Sequence, residues 1–252
     1  MCRRHYGYFR ERGIPADILS SECELSKYDL VIAPMLYLLR DGVADKLREY
    51  VSGGGTLVTT YLTGYVDKED LCWLGGFPGG GLRELLGIWA EEIDSLYSSD
   101  RNSVTFKNGF TGTYEVTNFC ELIHAETAEV IAEYDSDFYA GMPAATCNHF
   151  GSGKVYHLAA HVGSDALRYF YDTITSPLCL RRALPTEVPE NIQTAYRTDG
   201  EYDYIFLMNF SQAAVTVPLE SGKMYQNLLT NTFHTQTIPL TKYETAVLKV
   251  KK

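Results

Sequence analysis

The alternation of apolar and polar positions at the start of the chain predicts helix and strand in turn. Residues 4–12 place Tyr6 and Phe9, with Tyr8 between them, among charges and predict a helix that ends at Gly13. Residues 16–19 and 29–34 predict short strands, and the second is nearly all apolar. We therefore expect the second strand to be buried on both faces.

A strand-helix-strand unit follows. Residues 43–51 carry apolar side chains at helical spacing after a candidate N-cap at Asp41, and residues 56–61 are rich in β-branched side chains. Two strands joined by a helix of this length imply a parallel pair with a right-handed crossover.

A glycine-rich loop and a set of strands complete the first predicted domain. Residues 62–81 have no periodicity, and loops of this length inside compact domains are often functional. Residues 82–86 predict a short helix, and residues 164–174 a longer one with Ser164 or Asp165 as N-cap. Strands are predicted between them at 103–106, 114–123, 129–134, 143–148 and 154–161. We expect residues 1–183 to form one three-layer α/β domain.

The pattern changes after a proline-flanked linker at residues 184–190. No helical periodicity appears beyond it, and residues 187–252 predict a small antiparallel β-sandwich. Its strands are expected at 191–197, 202–209, 213–218, 224–229, 234–240 and 244–251.

Composition narrows the classes of function. The formal net charge of −10, with no block of basic residues longer than two, argues against nucleic acid as a partner. No apolar run approaches the ~20 residues of a membrane span, and the N-terminus lacks the apolar core of a secretory signal. We expect a soluble, cytoplasmic protein. Six cysteines are spread singly without a C-x-x-C pair, so neither a zinc site nor a disulfide framework is predicted.

Nucleophilic and phosphate-binding motifs are missing from the sequence. There is no G-x-S-x-G or G-x-C-x-G elbow, which leaves Cys72 and Ser152 without the turn that exposes a nucleophile. The glycines of residues 75–81 are not followed by Lys-Ser/Thr and are not placed as a dinucleotide fingerprint. We predict no cofactor and no catalytic residue in this chain.

Other candidates have simpler explanations. His157 and His161 lie on a predicted strand, where four residues separate them by about 13 Å, too far to share a metal. The acidic clusters at residues 67–70 and 91–94 are typical of solvated loops and helix ends. The aromatic residues of 202–206 suit either strand core and cross-strand pairing or sugar binding, and we favour the first.

Resemblance to a known family gives more information about function than these motifs do. DLVIAPMLYLL, GGGTLVTTYLTGYVDKEDLCWLGGFPGG and LRELLGIWAEEIDSL, within residues 29–97, resemble the middle region of β-galactosidases of glycoside hydrolase family 42. Residues 114–174 are similar to the rest of that region, and NFSQAAVTVPLE and TKYETAVLKV resemble the small C-terminal domain of the family. The segment from Tyr61 to Gly80 is the most specific part.

The resemblance implies a flavodoxin-like, class I glutamine-amidotransferase-like trimerisation domain at 1–183 and a β-sandwich at 187–252. In this family both catalytic glutamates lie in a (β/α)₈ barrel, a fold of about 250 residues that this chain has no room for. The family resemblance also implies that the protein forms a homotrimer. The barrel is then a further partner, and galactoside is bound only by the complete enzyme. The loop residues expected at an inter-subunit contact near that active site are Tyr61, Thr63, Gly64, Asp67, Asp70 and Trp73.

Two other functions stay open at this point. One is a freestanding amidotransferase-like hydrolase, which needs a nucleophile on a strand-to-helix turn. The other is a carbohydrate-binding module that uses the aromatic residues of the sandwich.

Overall fold

Strands account for most of the regular structure. The computed structural model describes all residues, Met1–Lys252, and divides them into two units. The first unit contains residues 1–5 and 19–178, and the second contains residues 6–18 and 179–252. None of the helices is both long enough and apolar enough to cross a membrane.

The first unit combines helices with a nine-stranded sheet. The helices are α1 (Cys2–Glu11, shared with the second unit), α2 (Val43–Ser52), α3 (Leu82–Leu86) and α4 (Ser164–Thr175), followed by a 3-10 turn at Ser176–Leu178. The strands are β1 (Leu30–Ala33), β2 (Thr56–Thr60), β3 (Ile88–Ser95), β4 (Asn102–Phe106), β5 (Thr113–Ala125), β6 (Glu129–Tyr134), β7 (Pro143–Phe150), β8 (Gly153–Leu158) and β9 (Ala160–Val162).

The sheet is mixed, in the order β1-β2-β8-β7-β6-β4-β5-β3, with β9 paired to β5. Strands β1, β2 and β8 run parallel, and the remaining pairs are antiparallel. The predicted parallel pair with a helical crossover is confirmed, because β1 and β2 pair in parallel and α2 connects them.

Helices cover both faces of this sheet. Val155 belongs to the apolar cluster that α2 and α3 form on one face. Its neighbour Tyr156 lies 6.2 Å from the ring of Phe170 in α4. Since successive residues of a strand point to opposite faces, α4 lies on the other side from α2 and α3.

Two predicted helix caps are wrong, although both helices are where the pattern predicts them. Gly42, not Asp41, is the N-cap of α2, and the Asp41 carboxylate instead forms an ion pair with Lys68 at 2.6 Å. Gly163 is the N-cap of α4, so Ser164 is the first helical residue. At α2 the ion pair with Lys68 engages the carboxylate that a cap would need.

Four strand predictions for residues 1–183 need correction. The strand at 29–34, expected to be buried on both faces, is the edge strand β1 and is only half-buried. Residues 16–19 form no strand and leave Ile18 79% exposed, because no neighbouring strand is available to pair with them. Residues 91–94 lie in β3, which pairs with β5, and not in a loop or helix end. The predicted strand at 154–161 is interrupted at Ala159, and its second part, β9, leaves β8 to pair with β5.

The second unit is a β-sandwich. Its strands are β10 (Ile192–Thr198), β11 (Tyr202–Asn209), β12 (Val215–Pro218), β13 (Tyr225–Asn227), β14 (Thr232–His234), β15 (Thr237–Leu240) and β16 (Thr245–Lys251). One sheet has the order β10-β11-β16-β13-β14, and β12 pairs with β15 in the other. The single strand predicted at 234–240 is therefore two strands in two different sheets.

Alternate residues of the five-stranded sheet fill the sandwich core. Ile205 and Leu207 are buried together with Val217 and Ile238 of the two-stranded sheet. The expectation that the aromatic side chains of residues 202–206 form strand core is wrong, because Tyr202, Tyr204 and Phe206 occupy the intervening, outward positions. The carbonyl of Gly13 accepts the amide of Ala183, which links the two chain segments of this second unit, residues 6–18 and 179–252.

We expect a pH-dependent stability from His5, whose Nδ1 lies 2.5 Å from the hydroxyl of Tyr171 in α4. Burial lowers the pKa of His5 from 6.5 to about 4, and the positive charge of Arg4 acts in the same direction. Between these pH values the unfolded chain binds the proton and the folded protein does not, so acidification favours unfolding. The free energy of unfolding should fall by roughly 3 kcal/mol through this group from above pH 6.5 to about pH 4.

Urea unfolding across this pH range checks the expectation. His5→Gln cannot titrate and should flatten the decrease, whereas His149→Gln, at an exposed position of β7, is the matched control. An identical pH dependence in the parent and in His5→Gln would contradict it.

Candidate functional site

The long loop begins at the carboxyl end of β2, and a buried glutamate holds its first turn. Glu121 of β5 is 1% exposed. Its Oε1 accepts the amide of Leu62 at 2.9 Å and the hydroxyl of Tyr65 at 3.0 Å. One carboxylate oxygen thus binds the loop through both its main chain and a side chain.

A histidine satisfies the other oxygen. His157 of β8 lies with Nε2 2.8 Å from Oε2 of Glu121, and its Nδ1 is 2.8 Å from Oγ1 of Thr59. Thr59 and His157 are directly opposed in the parallel β2–β8 pair, so the sheet register brings them together. A buried carboxylate with three hydrogen-bond partners is satisfied without water.

Tyr65 also connects the two ends of the loop. Its ring stacks on Phe77 at 4.2 Å and lies 6.3 Å from the ring of Tyr37, nearly parallel to both. Burial and the negative charge of Glu121 raise the pKa of Tyr65, so its hydroxyl stays protonated and donates to the carboxylate.

Main-chain hydrogen bonds hold the interior of the loop. Gly64 donates to Leu36 at 2.8 Å and accepts from Gly79 at 2.8 Å, with a φ of +69° that favours glycine. The Asp67 carboxylate accepts the amides of two residues that follow it, at 2.9 and 3.0 Å, and closes a tight turn. The loop is therefore a defined structure without helix or strand.

The packing of Trp73 places it against the loop's own backbone. A Cβ on Gly79 would lie 2.1 Å from Cγ of Trp73, so only glycine fits there. The indole Nε1 of Trp73 is buried and has no hydrogen-bond partner. Such an unsatisfied donor costs free energy in the isolated chain.

The structure divides the candidate loop residues into two groups. Tyr61 and Thr63 are buried at the base, where the Tyr61 hydroxyl lies 3.5 Å from the sulfur of Met1 and the Thr63 hydroxyl donates to the carbonyl of Thr60 at 2.6 Å. Burial raises the pKa of Tyr61 to about 12. Of the other candidates, Gly64 is buried, Asp67 and Trp73 are half-buried and Asp70 is exposed.

The tip of the loop is apolar and exposed. Leu71 is 62% exposed and Leu74 is completely exposed. Sequence reasoning missed both, although an apolar residue on each side of Cys72-Trp73 in a glycine-rich loop was a visible signal. It also missed Glu121, because no local pattern marks a single acidic residue within a strand.

Other candidate groups have partners of their own. His161 lies 2.5 Å from the Arg4 guanidinium, and burial lowers its pKa. The Glu91 carboxylate pairs with His124 at 2.7 Å, and that of Asp94 accepts the hydroxyl of Tyr139. His157 and His161 have the hydrogen-bonded roles expected for them. No three acidic, histidine or cysteine side chains come together as a metal site.

Comparison with known proteins identifies the family of both units. The family model described as the β-galactosidase trimerisation domain matches residues 1–181. The chain belongs to the β-galactosidase trimerisation domain family. A second model, the β-galactosidase C-terminal domain, matches residues 191–249. The trimerisation and C-terminal domains of family 42 β-galactosidases are thus both present, as the resemblance implies.

Individual relatives agree with this assignment. A β-galactosidase of Clostridium perfringens is 46% identical over 223 residues, which is 87% of this chain and 32% of that protein. The crystal structure of a β-galactosidase from Bacillus circulans sp. alkalophilus superposes with a TM-score of 0.93 at 34% identity, covering 98% of this chain and 36% of that one. The structure of the Rahnella sp. R3 enzyme gives 0.90 at 40% identity, with coverages of 99% and 36%. The chain spans about a third of the length of the curated relatives it matches.

We expect Glu121→Ala to destabilise the trimerisation domain and release the loop. The change leaves the Leu62 amide, the Tyr65 hydroxyl and His157 without their acceptor and should lower the free energy of unfolding by roughly 3–5 kcal/mol. Glu91→Ala removes a glutamate from an exposed glutamate–histidine pair and should cost below about 1 kcal/mol.

Urea unfolding measures both changes, and amide hydrogen exchange at Leu62 reports the loop directly. Equal destabilisation by the two variants, or unchanged protection of Leu62 in Glu121→Ala, would contradict the anchoring role.

Proposed function

We propose that this chain is the self-association part of a family 42 β-galactosidase, that it assembles as a homotrimer, and that the loop tip at Leu71–Leu74 is where copies meet. The observation that carries the proposal is an apolar tip on a loop held in place by the buried Glu121 carboxylate. Covering one leucine side chain is worth roughly 1.5–3 kcal/mol. A fixed tip offers that gain with little loss of conformational freedom.

The candidate loop residues fit distinct parts of this role. Tyr61, Thr63 and Gly64 form the base that positions the loop, and Trp73 supports the tip from beneath. Asp67 shapes the turn, and exposed Asp70 stands beside the tip, where a neighbouring copy can be reached.

For the complete enzyme we propose hydrolysis of terminal β-D-galactosides, with the acid/base and nucleophile outside these two domains. The relatives named as β-galactosidases support this, and the chain corresponds to about a third of their length. Its own contribution is then to assemble the enzyme and shape the region between subunits. The proposed domain boundaries are 1–183 and 187–252, close to the matched ranges 1–181 and 191–249.

We also propose that the α/β domain is flavodoxin-like and related to class I glutamine amidotransferases. Three adjacent parallel strands and helices on both faces support it. A hydroxyl, an imidazole and a carboxylate also follow one another in the hydrogen-bonded network of Thr59, His157 and Glu121. Thr59 is fully buried within β2, however, so no substrate can reach it, and this geometry favours a structural role over hydrolysis.

The oligomeric state tests the proposal. We expect the parent chain to have three times the mass of one 28.3 kDa copy in light scattering, and the double variant Leu71→Ser/Leu74→Ser to lose that mass. Ile18→Ser, which removes an exposed apolar side chain from the other unit, is the control. A parent that stays at 28.3 kDa, or a double variant that assembles like the parent, would argue against the loop tip as the interface.

Activity is tested separately. The purified chain should hydrolyse a chromogenic β-galactoside no faster than the buffer blank, because the proposed catalytic groups lie outside its two domains. Turnover that copurifies with the chain would overturn this part of the proposal.

A further inference from the structure

The outer face of the five-stranded sheet in the C-terminal domain is unusually aromatic and apolar. Buried and half-exposed residues alternate along β11, and the half-exposed, outward ones are Tyr202, Tyr204, Phe206 and Met208. The outer positions of a β-sandwich are ordinarily polar, since the core lies on the other side. None of these four side chains belongs to the sandwich core.

The strand register arranges this face into rows. Tyr204 is opposite Arg197 on β10 and Lys249 on β16, and the same row continues through Gln226 to Phe233 on the edge strand. Directly paired residues of antiparallel strands point to the same face. One row therefore crosses all five strands as cation, aromatic ring, cation, amide and aromatic ring.

The neighbouring row of paired residues, which contains Phe206, has smaller side chains. Phe206 is opposite Ala195 on β10 and Val247 on β16, and these small neighbours leave its ring accessible from above. Tyr204 and Phe206 are two residues apart on one strand, a separation of about 6.7 Å. Two aromatic rings thus lie side by side on an otherwise flat surface.

Charged groups of both signs border the tyrosine rings of this face. The Lys249 ammonium lies 3.9 Å from the ring centre of Tyr202 and 5.9 Å from that of Tyr204. Arg197 lies on the other side of Tyr204, two strands from Lys249, which is about 9.5 Å. The Tyr204 hydroxyl donates to Asp199 at 2.8 Å, which orients the ring. The carboxylates of Asp199 and of Glu201, which accepts from Tyr202, also lie at this face, but the basic side chains of Arg197, Lys249 and Lys251 outnumber them. In a chain of net charge −10, this balance favours an anionic ligand.

We propose that this face, formed by Tyr204 and Phe206 with Arg197 and Lys249 beside them, binds an acidic oligosaccharide. Successive pyranose rings stack on the two aromatic rings, and their carboxylates pair with the guanidinium and the ammonium. Gln226 supplies an amide for ring hydroxyls. The binding site is independent of the self-association proposed for the loop tip, because it lies wholly within the C-terminal domain.

The chemistry of the face favours a saccharide over other anions. Aromatic rings stack on the C–H faces of pyranose sugars, which inorganic anions lack. The surface is a flat strand array rather than a groove for a helix, and its width of five strands suits an extended chain. The acidic character follows from the position of Tyr204 between Arg197 and Lys249.

Titration calorimetry of the full chain with trigalacturonate tests the proposal, and neutral galactotriose is the second arm. We expect trigalacturonate to bind and to weaken as salt is added. Tyr204→Ala should weaken binding about tenfold, as expected for the loss of one aromatic stacking interaction. Lys249→Gln, which removes the charge but keeps a polar side chain, should weaken trigalacturonate binding by a similar factor. The control is Tyr97→Ala, which removes an exposed tyrosine from the other unit and should leave binding unchanged.

Three outcomes would overturn the proposal. One is the absence of binding heat with trigalacturonate at millimolar concentration. Another is equal affinity for the neutral galactotriose, which would show that the cations play no role in binding. The third is parent-like affinity in Lys249→Gln, whose circular dichroism and thermal unfolding establish that it is folded.

Discussion

Glu121 lies on β5, and its side chain reaches the end of β2, where the long loop begins. Its two carboxylate oxygens serve different partners, the loop on one side and His157 on the other. A buried carboxylate is unfavourable unless every oxygen is paired, so the first turn of the loop and the sheet are mutually dependent. The loop is consequently as well defined at its base as the strand that precedes it.

The position of the loop tip follows from that dependence. Tyr65 links the carboxylate to the aromatic stack with Phe77, and Trp73 packs on the glycines that return the chain to α3. These contacts satisfy the base while leaving Leu71 and Leu74 in solvent. Nothing within these two domains covers the two leucines, which is the physical basis for our proposal that the tip contacts another copy.

The C-terminal domain shows how much periodicity can predict and where it fails. Alternation along residues 202–209 correctly indicated a strand, but period two alone does not say which of the two faces is the core. Both faces of β11 are apolar, so the aromatic residues were assigned to the inside. Only the packing of Ile205 and Leu207 into the core shows that Tyr204 and Phe206 point outward. The pairing of β11 with β10 and β16 then places Tyr204 between Arg197 and Lys249.

By itself the sequence determined the parallel strand-helix-strand unit, the position of the long loop and the all-β character of the C-terminal domain. It also determined membership of the β-galactosidase trimerisation domain family. These depend on side-chain periodicity, turn residues and motif, which are local in the chain. Tertiary structure alone decided which side chains meet, because Glu121, His157 and Thr59 are brought together by strand order and register across intervals of 36 to 98 residues. The same long-range pairing separated β9 from β8 and placed β3 in the sheet. Sequence spacing carries no signal of such contacts, since a one-residue change of register moves every side chain to the opposite face.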